Sequence, residues 1–174
     1  MEAQCFLFVR WPGNQHRLPS VLQDARQLAT PPISLLWSAP LMATYGDALY
    51  ISGPDRALLE QFALELESRN AGVEVDFRLC KGSLNEPVLA DPHSTVGLVS
   101  IGLTADCLGD ELAVAADFSA CQGVLASRAC YGADDLLLIL MADNDDQFRQ
   151  RLVSEIRPHR GVARTSTRLR SAIL

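Results

Sequence analysis

What this sequence is short of narrows its possible roles first. It has no excess of positive charge: 15 Lys and Arg stand against 21 Asp and Glu, for a net charge of −6 and a pI of about 5.0. A general nucleic-acid binder needs a strongly cationic surface, so that class is disfavoured, although a local basic patch is still allowed. No apolar run approaches the roughly 20 residues of a membrane span. Met1-Glu2-Ala3-Gln4 lacks the basic start of a secretory signal, and the apolar run Cys5 to Val9 is too short for its core. Cysteine is odd in number and forms no CxxC: Cys5, Cys80, Cys107, Cys121 and Cys130 read as reduced thiols of a cytoplasmic protein, mostly small buried side chains. Histidine is scarce. His16, His93 and His159 fall in loops or at element ends without an HxH or HExxH pattern, so no metal is expected. GxSxG, Walker A and GxGxxG are all missing, which leaves a hydrolase, an NTPase or a dinucleotide enzyme without support. Neither a catalytic residue nor a cofactor is expected.

What is present is a repeat. Tyr45-Gly46-Asp47 precedes an apolar stretch, Ala48 to Ile51, then a helical pattern, Gly72-Val73 and an alternating strand that ends in Arg78-Leu79. Tyr131-Gly132-Ala133-Asp134-Asp135 opens the same series. It runs through Leu136 to Leu140, a helical pattern, Gly161-Val162 and a strand containing Arg168-Leu169, at nearly the same offsets. Two similar units of about 80 residues each are small, and burying surface against each other would help both.

The first unit reads strand, helix, strand, strand, helix, strand. Cys5 to Val9 is a short buried strand stopped by Trp11-Pro12-Gly13. Leu18 to Ala29 is helical, with Val21, Leu22, Ala25, Leu28 and Ala29 on one face. Ile33 to Trp37 and Leu41-Met42 give a second strand, bent or broken at Pro40. Ala48 to Ile51 is the third. Asp55 opens a helix whose Leu58, Leu59, Phe62 and Leu66 form a stripe. Val73 to Leu79 alternates as a half-buried strand. Residues 81–94, with two prolines and no period, form a linker. In the second unit Val96 to Leu103, Val124 to Tyr131, Asp135 to Met141 and Val162 to Arg170 are strands. Cys107 to Phe118 is a helix, and Asp143-Asn144-Asp145-Asp146 opens another, with Phe148, Leu152 and Ile156 on its buried side. The expected fold class is therefore α+β: two ferredoxin-like β-α-β-β-α-β units, 1–80 and 95–174, whose antiparallel sheets pack as an intramolecular pseudo-dimer.

From about Glu111 to Leu174 the second unit resembles the ligand-sensing (RAM) domain of the Lrp/AsnC family of regulators. The carriers are Gly123-Val124, the run Ala129 to Asp143 with Gly132 and Asp135 in its turn, and Gly161 to Leu169 with Thr165 and Thr167 in its strand. The first unit looks like a diverged copy, with Phe77 where a threonine is expected. The family's helix-turn-helix has no counterpart before either unit. The resemblance therefore implies the sensing or assembly half of such a regulator without direct DNA binding.

The turn Tyr131, Gly132, Ala133, Asp134, Asp135, with Thr165 and Thr167, is the expected effector site. Small residues admit close backbone approach, and two carboxylates suit an ammonium group. The plainer reading is that Gly132 and Asp135 only shape a hairpin. Arg160, Arg164, Arg168 and Arg170 gather positive charge near the C-terminus, most simply as a solvated sheet edge. Cys5 and Cys80 fall where the first and fourth strands of one sheet would bring them close, as two unreactive buried thiols. The expected function is regulatory rather than enzymatic: binding a small effector such as an amino acid, and acting through a homo-oligomer or a partner regulator, away from membranes. The alternatives are a tandem ACT-like sensor, a purely structural interaction module, and an enzyme with a site between the units.

Overall fold

The computed structural model describes residues 2–11, 18–41, 46–82, 91 and 93–170. The stop at Pro12-Gly13, His16, Met42 to Tyr45, most of the linker and residues 171–174 lie outside the described residues. The chain divides into two compact units, built on Met1–Pro87 and Val88–Arg170.

The first unit runs β1 (Ala3–Arg10), α1 (Leu18–Leu28), β2 (Ser34–Pro40), β3 (Asp47–Gly53), α2 (Arg56–Arg69) and β4 (Glu74–Leu79). The second runs β5 (Thr95–Leu103), α3 (Glu111–Ser119), β6 (Val124–Ala129), β7 (Leu136–Ala142), α4 (Asp145–Arg151) and β8 (Val162–Leu169). Each unit has a four-stranded antiparallel sheet, ordered β2-β3-β1-β4 and β6-β7-β5-β8. The fold is α+β with two ferredoxin-like units, as the patterning implied.

The core of each unit lies between its sheet and its helices. In the first, Cys5, Leu7 and Val9 of β1 and Leu49 and Ile51 of β3 meet Val21 and Ala25 of α1 and Leu59, Phe62 and Leu66 of α2. In the second, Val99, Ile101, Leu136, Leu138 and Leu140 meet Val114, Ala115, Phe118, Phe148, Leu152 and Ile156. The helix starts follow from capping: Asp55 Oδ1 accepts from the Leu58 amide at 2.9 Å, and Asn144 Oδ1 accepts from the Gln147 amide at 2.9 Å.

The structure amends several details. The second strand is continuous through Pro40 and carries a bulge between Leu35 and Trp37, because a proline is tolerated at the end of an edge strand. The helix expected over Cys107 to Phe118 is split. A 3₁₀ turn, Ala105–Cys107, comes first, and Gly109 at φ 104° reverses the chain before α3. A π-helical turn, Leu152–Ile156, extends α4. Cys5 and Cys80 do not face each other. Cys5 pairs with Leu79 and points to the helices, whereas the Cys80 amide donates to Gln4 O one residue further on, which sets its side chain on the opposite face.

Hydrogen bonds put the two units into register residue by residue. The Gly46 amide donates to Val9 O and its carbonyl accepts from the Leu41 amide. The Asp135 amide donates to Ile101 O and its carbonyl accepts from the Cys130 amide. Gly46 is thus the structural counterpart of Asp135, and Asp47 that of Leu136. The bulge recurs as well, between Val124 and Ala126.

Candidate functional site

That register exposes the most unusual side chain of the chain. Asp47 opens β3, opposite Val9 on one side and Pro40 on the other. Strand alternation sends it to the helix side of the sheet with Leu49 and Ile51, where the second unit buries Leu136. Asp47 is fully buried, and neither carboxylate oxygen has a hydrogen-bond partner. A carboxylate out of water and without a partner resists ionisation. Burial accordingly pushes Asp47 up to about 7 from its ordinary 3.8, against a smaller lowering by the Trp11 N–H nearby.

Trp11 is the second half of this centre. Its indole occupies the space over Gly46: a Cβ there would lie 1.9 Å from Trp11 Cδ1. Only glycine admits the ring so close to the start of β3. Trp11 Nε1 is buried and, like Asp47, without a partner, so the N–H lies near enough to draw the acid down yet donates to neither oxygen. A buried acid and a buried donor side by side, both unsatisfied, are costly to the fold.

The other face of this sheet is aromatic and polar. One row across the strands carries Trp37, Tyr50, Phe6 and Arg78. The Phe6 and Tyr50 rings stack with centroids 4.4 Å apart, and Tyr50 donates to Gln4 Oε1 at 2.7 Å. Arg78 makes a two-point contact with Asp76, at 2.9 and 2.6 Å. The matching row in the second unit is Ala126, Ile139, Leu98 and Arg168, where Arg168 donates to Ser100 Oγ at 3.2 Å.

The residues expected to hold an effector lie in the second unit. Tyr131, Gly132 and Ala133 are exposed, with Gly132 at φ 127°, while Asp134 and Asp135 are half-buried. Asp135 Oδ2 accepts from the Leu103 amide at 2.7 Å, and Ala133 O accepts from Arg164 Nη2 at 2.8 Å. Thr165 and Thr167 lie across β5 from the turn, opposite Ile101 and Val99, and face the helix side. Thr165 Oγ1 accepts from Arg157 Nε at 3.2 Å, and Thr167 Oγ1 is buried without a partner. The structure therefore keeps the turn together and separates it from the two threonines by a strand. Arg164 and Arg168 share the helix-free face, opposite Gly102 and Leu98.

No protein-family model and no curated protein matches this chain. Solved structures do. The chain is similar to a mutant chlorite dismutase from Candidatus Nitrospira defluvii in complex with cyanide, with a TM-score of 0.62 at 12% identity, over 98% of this chain and 90% of that one. It is similar to a monooxygenase-like protein from Lactobacillus acidophilus NCFM, with a TM-score of 0.54 at 9% identity, over 97% and 93%. An anthrone oxidase-like protein aligns at a TM-score of 0.50 and 12% identity, over 99% and 92%. The fold, in both its units, is the one these proteins share.

These likenesses correct the expected function. The reading as a transcription regulator of the Lrp/AsnC type, and as a protein that is not an enzyme, is overturned, because structures that match along nearly the whole chain are named as a chlorite dismutase, a monooxygenase and an anthrone oxidase-like protein. The β-α-β-β-α-β order on which the RAM resemblance was laid also fits these structures, so it carried the fold and not the activity.

Haem is the cofactor to test for redox chemistry, and it needs an axial His, Cys, Met or Tyr. His93 sits in an exposed turn. His159 packs on Phe118 and accepts the Gly161 amide on Nδ1. Cys130 donates to Arg128 O, and Tyr50 to Gln4. Among the described residues His159, Cys130 and Tyr50 are thus engaged within their own units and do not fit a haem, and no group of three His, Cys, Asp or Glu side chains that could hold a metal ion occurs. No helix among them is long and apolar enough to cross a membrane.

Proposed function

We propose that this chain is an enzyme of oxidoreductase type acting on a small organic molecule, and that Asp47 takes a proton from the substrate. Several observations support the reading. Solved structures that align along nearly the whole chain are named as a chlorite dismutase, a monooxygenase and an anthrone oxidase-like protein. The observation that carries it is Asp47: a buried, unpartnered carboxyl poised near neutrality, at a position where the sister unit packs a leucine. A general base works best when its pKa lies near the working pH. Burial has tuned this acid to that range, and the fold bears the cost without a packing return.

The substrate class that suits such a base is an uncharged molecule with an acidic C–H or O–H, because an anion would meet a second negative charge in an apolar setting. An anthrone is a representative. Its oxidation by dioxygen gives the anthraquinone and one water, and the first step is loss of a C–H proton to Asp47.

The test follows oxygen uptake and quinone absorbance for the purified chain with 9-anthrone in air, from pH 5 to 9, corrected for the uncatalysed reaction. The rate is expected to climb through pH 7 as Asp47 ionises, and Asp47→Asn is expected to lose about a hundredfold or more. An Asp47→Asn variant that keeps the native rate overturns the reading. So does the failure of a panel of anthrones and phenols to react. Oxygen release from chlorite by the same preparation would replace it with a chemistry in which Asp47 is not the base.

A further inference from the structure

The place beside Asp47 holds more than an acid. Three of the five buried side-chain atoms that lack a hydrogen-bond partner among the described residues gather there: both oxygens of Asp47 and Nε1 of Trp11. The other two, Ser127 Oγ and Thr167 Oγ1, lie on separate strands of the second unit. Strand register explains the meeting. Trp11 comes two residues after Val9, and Val9 is the β1 residue opposite Asp47. The Gly46 amide ties the start of β3 to Val9 O at 2.8 Å, and a Cβ built on Gly46 would lie 2.2 Å from Trp11 Nε1. The indole nitrogen therefore rests on the residue bonded to Asp47. Trp11 as a whole is half-buried, so its ring reaches the surface while its N–H is turned inward.

A donor without an acceptor, beside an acceptor without a donor, defines the group that completes both: one that accepts once and donates once. A hydroxyl does so with a single oxygen. A carbonyl or an ether would satisfy only the indole, and an ammonium only the acid. We infer that Trp11 and Asp47 together recognise the hydroxyl of a phenol or enol, whose oxygen accepts from Trp11 Nε1 and whose O–H donates to Asp47. A phenol also brings a ring to lie against the half-buried indole. Proton transfer then needs no movement of the oxygen. The O–H bond breaks, the proton passes to Asp47, and the electron pair stays on an oxygen already held by the Trp11 N–H. This role for Trp11 rests on the reading of Asp47 as the base. It narrows that reading to substrates with the acidic proton on oxygen, which are expected to react ahead of anthrone.

Discrimination at such a pair is steep, because a ligand that lacks the hydroxyl leaves buried polar groups unsatisfied. The second unit supplies the contrast. There the turn acid Asp135 already accepts from the Leu103 amide, and the core position that corresponds to Asp47 is Leu136.

The experiment is isothermal titration of the full chain, under argon at pH 8, with 2-naphthol and with its methyl ether, which keeps the rings and the oxygen but has no O–H. The native chain is expected to bind the naphthol about a hundredfold more tightly than the ether. Trp11→Phe keeps a ring over Gly46 and removes the N–H, so it should weaken the naphthol about tenfold and leave the ether unchanged. Asp47→Leu should bring the naphthol down to the level of the ether. Equal binding of the two ligands by the native chain, or binding of neither, would mean that the pair holds water alone and would overturn the inference. So would a naphthol affinity unmoved by Trp11→Phe. A Trp11→Phe variant that loses both ligands equally would overturn it too, because the ring and not its N–H would then be the contact. Oxygen uptake keeps the two proposals apart. If Asp47→Asn stops oxidation while Trp11→Phe leaves naphthol binding untouched, the hydroxyl site falls and the base stands. If the binding pattern holds while Asp47→Asn keeps the native rate, the base falls and the hydroxyl site stands.

Discussion

The two units solve one folding problem with different side chains, and the difference separates packing from chemistry. Where the second unit closes the end of its core with Leu136, the first places the carboxyl of Asp47. Where the second unit holds its turn with Asp135 accepting from the Leu103 amide, the first has Gly46 beneath the Trp11 ring. The carboxylate has in effect moved one residue along the chain, from a turn where it satisfies the backbone to a strand where it satisfies nothing. The second unit shows that the fold does not need an acid there. The first therefore keeps a group that opposes its own stability, and that cost is what the proposed role of Asp47 would explain.

Swapping residues between the units tests that comparison most severely. Leu136→Asp puts a carboxyl into the second core without the tryptophan that accompanies it in the first. It should cost about 4 kcal/mol or more at pH 8, read from urea denaturation, and a loss under about 1 kcal/mol would show that the site is wetter than it looks. The reverse swap, Asp47→Leu, should stabilise. The sign follows from linkage. The folded state holds the Asp47 proton up to about pH 7 while the unfolded chain releases it near 3.8, so stability falls as pH rises through that window and stays low above it. The leucine variant should therefore gain several kcal/mol at pH 8, on the order of 4 at most, and little at pH 4. Denaturation curves at the two pH values decide it, and an equal gain at both would mean that packing and not ionisation is responsible.

Smaller effects sharpen the contrast between the helix-free faces. Tyr50→Phe removes the hydrogen bond to Gln4 Oε1 from a fully buried place and should cost about 1–2 kcal/mol, whereas Ile139→Val at the matching position should cost about 1. The helix caps should show no contrast. Asp55→Ala and Asn144→Ala each remove one side-chain acceptor from an equivalent amide, and each should cost about 1 kcal/mol. A difference larger than about 1 kcal/mol between them would mean that the two units differ in more than the residues compared.

The order of elements, the caps at Asp55 and Asn144 and the stripe Phe148, Leu152 and Ile156 were legible in the sequence, because each is a local signal of period or capping. The chemistry was not. Tyr45-Gly46-Asp47 reads as a turn carboxylate like Asp135, and only the pairing of Gly46 with Val9 shows that the acid has slipped into the strand. Parity with Leu49 and Ile51 was the available clue, but β3 is buried on both faces, and a strand without alternation does not announce which way a residue points. Cys5 and Cys80 failed for the same one-residue reason: proximity along the sheet is fixed by topology, and facing by register. The activity was mistaken because a ferredoxin-like order is shared by proteins of many trades.

The indole that Gly46 admits also gives the protein an optical voice. Tryptophan emission responds to a charge placed beside the ring, and the chain has only two tryptophans, Trp11 and Trp37. As Asp47 gains or loses its proton near pH 7, the light emitted by Trp11 should change with it, while Trp37, on the opposite face of the sheet, holds steady. The protonation of the buried acid can thus be followed in the unlabelled protein, in real time, by watching it fluoresce.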